Sequence, residues 1–184
     1  MRKQRMMIPV MVLALLLALT GCGKVENEMD KMESQMAQKE ELTAAERTQL
    51  YQTAIEGARD AEMNESVPVI TSPEDDLASA IFVLLDVTAE DMESFAIAVS
   101  PVNVKAYGIA AIKPVDGREA AVLNGLQDFI AQQKSNFQQY LADQYAIAEK
   151  ARLETLDDGT VLMVMCEDQD TVLEHIKTTI EAGT

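Results

Sequence analysis

Few side chains in this sequence carry chemistry of their own. The single histidine, His175, lies between Glu174 and Ile176. Catalysis through it requires a positioned nucleophile and an orienting acid. No Gly-x-Ser-x-Gly elbow occurs and nothing else marks a nucleophile, so His175 reads as a surface or boundary residue. One histidine and no Cys-x-x-Cys leave no ligand set for zinc. Glu167-Asp168-Gln169-Asp170 and Asp157-Asp158-Gly159 bring carboxylates together, as calcium sites do. Neither has the spaced ligands of an EF-hand loop, and helix capping and a turn account for both. Glycoside hydrolysis needs two carboxylates at a defined separation across a cleft; among 31 Asp+Glu no pair stands out. No glycine loop suited to phosphate is present. The sequence therefore assigns no catalytic, metal-binding or cofactor-binding residue.

The two cysteines differ in kind. Cys22 follows a basic start (Arg2, Lys3, Arg5), an uncharged apolar run from Met6 to Leu19, and the small residues Thr20 and Gly21. The run is shorter than the roughly 20 residues a bilayer span needs and matches the apolar part of a secretory signal. Leu19-Thr20-Gly21-Cys22 resembles the bacterial lipobox, which implies that the Cys22 thiol receives a diacylglyceryl group and that cleavage after Gly21 leaves it as the new N-terminus. Two acyl chains give stable anchoring where one gives marginal binding. The expected location is the extracytoplasmic face of the cell membrane, with membrane lipid as partner through acylated Cys22. With Cys22 acylated, Cys166 has no disulfide partner in the chain; at the end of an apolar run it reads as a buried, inert thiol.

The charge narrows the partners. Fifteen Lys+Arg against 31 Asp+Glu give a net charge of −16, and loss of Arg2, Lys3 and Arg5 with the leader makes it more negative. Such a surface excludes nucleic-acid binding, which needs cationic side chains to displace phosphate counterions. Anionic headgroups repel it too, so lipid rather than a basic face ties it to the membrane.

Beyond Cys22, residues 22–42 read as the lipidated cysteine and an acidic tether. Val25, Met29, Met32 and Met36 make a short heptad-like stripe there, a candidate partner-binding helix. Residues 43–66 read as an N-terminal helix and linker, opened by the capping box Thr43-Ala-Ala-Glu46, with Leu50, Tyr51, Ala54, Ile55 and Ala58 on one stripe. Residues 67–182 read as the globular domain. Ser72 and Pro73 suit a helix start, with Leu77, Ile81, Leu84 and Leu85 inward. Strands follow at 95–99 and 107–112. A long helix then runs from Arg118 to about Leu141, with Phe137, Tyr140 and Leu141 closing its apolar face. Residues 142–150 continue as a bend or short helix. Strands at 151–156 and 161–166 flank an Asp-Gly turn, and VLMVMC, apolar throughout, suits a central strand covered on both faces. Asp168 or Asp170 caps a last helix from Thr171 to Ala182. The fold class is α+β: a small antiparallel sheet of about four strands, in the order strand-strand-helix-strand-strand-helix, packed with helices and preceded by one or two N-terminal helices.

Three segments carry a family likeness: Val87-Thr-Ala-Glu-Asp-Met-Glu-Ser-Phe95, Gln133-Lys134-Ser135-Asn136-Phe137-Gln-Gln-Tyr140 and Asp158-Gly159-Thr160-Val161-Leu162. With the leader, they resemble the lipoprotein family of the domain of unknown function numbered four-three-five-eight, found mainly in Firmicutes. The likeness runs from about Ser72 to Ile180. It departs at Tyr107-Gly108, where many relatives carry an acidic pair, and at Phe129, where many carry Arg. The resemblance implies a lipid-anchored extracytoplasmic domain and no particular activity. The reading is an accessory or binding domain without an evident catalytic site, whose partner is an envelope protein or wall component; the alternative is an envelope-associated hydrolase using acidic residues.

Overall fold

The computed structural model describes residues 41–102 and 104–184. The leader, Leu19-Thr20-Gly21-Cys22 and the Val25–Met36 stripe lie outside the described residues.

The capping box at Thr43 forms as its residues require. Thr43 Oγ1 accepts from Glu46 N, and the Glu46 carboxylate accepts from Thr43 N at 2.9 Å. Helix α1 (Ala44–Gly57) follows, then the short α2 (Ala61–Ser66), capped by the Asp60 carboxylate, which accepts from Met63 N at 2.8 Å. Helix α3 spans Ala78–Leu85, with its N-cap at Leu77, five residues later than a cap at Ser72 suggests. The Asp75 carboxylate is the reason: it accepts from Thr71 N and Ser72 N and holds residues 71–75 in a turn. The shift changes which residues point inward. Leu77 is exposed, and Ala78, Ile81, Phe82 and Leu85 fill the core.

Strands β1 (Met92–Val99) and β2 (Gly108–Pro114) form an antiparallel hairpin. Helix α4 covers Glu119–Phe137 and α5 Ala142–Glu149; β3 (Arg152–Thr155) and β4 (Val161–Met165) form a second hairpin, and α6 (Gln169–Gly183) ends the chain. The sheet order is β1-β2-β4-β3, antiparallel throughout. Ile70 pairs with Ile97 through both backbone bonds (2.7 and 2.9 Å), which covers part of the outer edge of β1.

Both faces of the sheet are buried. Side chains alternate along a strand. Phe95, Ile97, Ala110, Ile112, Val161, Met163 and Met165 meet α3 and α4. Ala96, Ala98, Ile109, Ala111, Leu162, Val164 and Cys166 belong to a second cluster with Tyr51, Ala54 and Ile55 of α1 and Ile176 and Ile180 of α6. Helix α1 therefore shares the core of the 67–182 body, and its small alanine partners on β1 let it sit close. VLMVMC is the doubly covered central strand its composition suggests. On the α3 side Phe82 and Phe95 pack edge to face at 5.4 Å. Gly125 lets α4 pass the end of α3, where a Cβ would lie 2.3 Å from Leu85 O.

The long helix ends earlier than its apolar spacing suggests. After Phe137 the chain turns through residues 138–141, which takes Tyr140 off the helical phase and leaves it 85% exposed. Gly159, at φ 83°, makes the β3–β4 turn. Asp168 stands at the N-cap of α6, but in left-handed backbone (φ 51°), and its side chain makes no capping bond. Asp170 instead pairs with Arg152 Nε at 2.7 Å.

Candidate functional site

A cleft of about 410 Å³ opens at one end of the sheet. Four parts of the chain meet there: the segment Ala58–Asp60 after α1, the approach to β2 (Lys105–Tyr107), Gln144 and Ile147 of α5, and Cys166–Val172, where β4 passes into α6. Antiparallel pairing causes the meeting. Gly108 at the start of β2 lies opposite Met165 at the end of β4, so the segments beyond them emerge side by side.

The apolar lining of the cleft includes Met63, Ile147 and Val172, which are partly exposed, and Tyr107 and Cys166, which are nearly buried. Burial pushes the Cys166 thiol up to about 12; the charges of Asp168 and Glu167 add to this, and Arg59 opposes it. It is free, buried and held as a neutral thiol. Burial likewise raises Tyr107 above an ordinary phenol, against the pull of Arg59. Gln144 Oε1 accepts from Ala106 N at 2.8 Å and fixes one wall. Lys105 Nζ stands over the Tyr107 ring, 5.8 Å from its centroid.

Arg59 is the central polar group. Its Nη1 donates to Val67 O at 2.9 Å and to the Tyr107 hydroxyl at 3.2 Å. Its Nε and Nη2 are buried without an acceptor. Asp60, Glu167 and Asp168 line the same cleft, yet no carboxylate among the described residues lies within 4.0 Å of Arg59.

The other candidates are placed elsewhere. His175 is exposed on α6, in a shallow groove with Glu174 and Thr178. Asp158 is occupied: its carboxylate accepts from Thr160 N (2.9 Å), Thr160 Oγ1 (2.8 Å) and Arg47 Nη1 (3.1 Å). These bonds lock the turn. Among the described residues no group of three or more His, Cys, Asp or Glu is placed to bind a metal ion, and no helix is long and apolar enough to cross a membrane. Gly108 packs beside Phe129: a Cβ there would lie 3.0 Å from Phe129 Cε1. Glycine and phenylalanine thus fit each other in this chain.

The sequence offered Glu167 and Asp168 only as capping carboxylates and Cys166 only as an inert thiol; it noted Tyr107 where the family likeness departs and gave no sign of Arg59. Arg59 sits just past an amphipathic helix and carries no motif. Its partners are 8 and 48 positions away. The one available signal was a cation in a strongly acidic chain.

Residues 71–166 match the family described as a domain of unknown function, DUF4358, and this chain belongs to that family. The match includes Lys105, Tyr107, Gln144 and Cys166 of the cleft but not Arg59. No curated protein and no solved structure matches the chain.

Proposed function

We propose that this protein is a lipid-anchored extracytoplasmic binding domain of a bacterium of the Firmicutes type. Acylated Cys22 holds it to the outer face of the cell membrane, and the cleft at the sheet end takes a small ligand or a short segment of an envelope protein or wall component. The observation that carries the binding reading is the cleft: about 410 Å³, with an apolar body and a few fixed polar groups, within the size range of ligand sites. The anchor rests on the order of charge, apolar run, small residues and cysteine at the start of the chain.

Two experiments test the two halves. In detergent phase partitioning the intact protein enters the detergent phase and takes up a palmitate analogue, whereas Cys22→Ala does neither. Equal partitioning of the two would refute the anchor. In a fragment screen followed by amide NMR, hits move Ile109, Cys166, Thr171 and Val172 together; hits scattered over the surface would refute the cleft.

Asp60, Glu167 and Asp168 at the cleft favour one alternative, an envelope-associated hydrolase with acidic residues as acid and base. Of these, Asp60 already caps α2. Hydrolysis of wall material that disappears in Glu167→Gln or Asp168→Asn would establish it.

A further inference from the structure

We infer that the cleft recognises the anionic head of its ligand, a single carboxylate or phosphate monoester, through the side edge of the Arg59 guanidinium. The inference rests on the binding reading above and names the chemistry of that site.

The described chain contains four arginines. Arg47 pairs with Asp158 at 3.1 Å, Arg152 with Asp170 at 2.7 Å, and Arg118 with the buried Asp91. Arg59 alone among them has no carboxylate within 4.0 Å, in a chain with twice as many acids as bases. Its guanidinium carries five N–H donors and no acceptor. Arg59 as a whole is half-buried, but its Nε and Nη2 are shut off from water, and each buried donor without an acceptor is costly. The arrangement therefore holds two unmet donors in reserve.

Their geometry says what they suit. Nη1 is already spent on Val67 O and the Tyr107 hydroxyl, which fix the plane of the group. The unpaired atoms are Nε and Nη2. In a planar guanidinium these two direct one hydrogen each along parallel lines on the same edge, the fork that meets two oxygens of a carboxylate or phosphate. Both nitrogens are shielded from water, so an arriving oxygen must displace a neighbouring group. Lys105 is exposed and rests over Tyr107, the residue that Arg59 bonds. Its charge adds to the pull on an anion. Glu167, Asp168 and Asp60 limit the total charge the cleft accepts, which selects one anionic head rather than a polyanion. The apolar part of the ligand lies on Met63, Ile147 and Val172.

The test uses the full chain in mild detergent and follows its backbone amides and the Arg59 Nε–H signal by NMR at constant ionic strength. The probes are phenylacetate, phenyl phosphate, inorganic phosphate and neutral phenylacetamide. Saturable movement of Arg59 Nε–H with phenylacetate or phenyl phosphate, with phenylacetamide at least about tenfold weaker, supports the inference. The tighter of the two anions tells carboxylate from phosphate, and inorganic phosphate shows how much the apolar body adds. Arg59→Lys keeps the charge, loses the fork and weakens the better anion by about tenfold; the wild-type Nε–H signal stands even if that variant folds poorly. Cleft amides that move as far with phenylacetamide as with the anions, while Arg59 Nε–H stays still, would overturn the inference and leave the binding reading intact. Cleft amides that respond to no probe would overturn both.

Discussion

Arg47 and Arg59 lie near opposite ends of α1, and the two ends of the helix have been finished differently. At the Arg47 end every principal group is answered. Asp158 takes the guanidinium and both donors of Thr160; Thr160 Oγ1 lies 2.5 Å from the Tyr51 hydroxyl; Lys113 Nζ reaches Asp158 O. Only Arg47 Nε is left without a partner there. At the Arg59 end a guanidinium and a tyrosine meet again, through Tyr107, but the carboxylate is missing and two nitrogens go unanswered. The first end has the character of a lock, because a satisfied buried network fixes one arrangement. The second has the character of a receptor, because its unmet donors gain most when something else arrives.

The largest test of that contrast is Asp158→Ala. It strips Arg47 and Thr160 of their acceptor at once and should cost about 3 kcal/mol in urea unfolding. A loss below about 1 kcal/mol would mean that the turn end is no lock. Alkaline pH probes both ends together. Burial raises Cys166 from 9.0 to about 12 and Tyr51 from 10.0 to about 12. Both raised groups keep their protons longer in the folded state, so their contribution is complete below about pH 9 and is lost as pH climbs towards 12. Urea midpoints should therefore fall across that window, and Cys166→Ala should delay the onset to about pH 10, where Tyr51 begins to act. An unchanged onset would remove the cysteine from this account.

Two paired substitutions sharpen the comparison further. Arg47→Met should cost about 1.5 kcal/mol, whereas Arg59→Met should cost less than about 0.5 kcal/mol, since it gives up two bonds but also discards two unmet donors. Equal losses would show that Arg59 serves stability and not reception. Smallest is the tyrosine pair. Tyr51→Phe should cost about 1 kcal/mol, and Tyr107→Phe should cost about half that in stability, because Val67 O still holds Arg59. The same Tyr107→Phe change should loosen the guanidinium plane and broaden the Arg59 Nε–H signal.

Local chemistry made much of the fold legible. Thr43 and Glu46 announced their helix because both partners lie within one turn. Asp158-Gly159 announced its hairpin because only glycine enters the left-handed region cheaply. VLMVMC announced a doubly buried strand because no polar residue interrupts it. The misreadings arose where a longer-range or competing bond decided. Asp75 captured Thr71 N and Ser72 N and delayed α3; the turn after Phe137 turned Tyr140 outward although its spacing still matched a helix. The cleft was the least legible part. Glu167 and Asp168 were visible as an acidic run, but their place opposite Arg59 and Tyr107 depends on β2 and β4 pairing antiparallel.

By itself, the sequence determined the order of strands and helices, the turn at Gly159, the surplus of negative charge and the two-sided burial of β4, since each follows from residues within a few positions of one another. Tertiary structure alone decided that Arg59, Tyr107, Gln144 and Cys166 share one cleft, and that Arg47 is neutralised while Arg59 is not. Charge pairing depends on distance in space, and no spacing along the chain records which carboxylate will come within reach of which arginine.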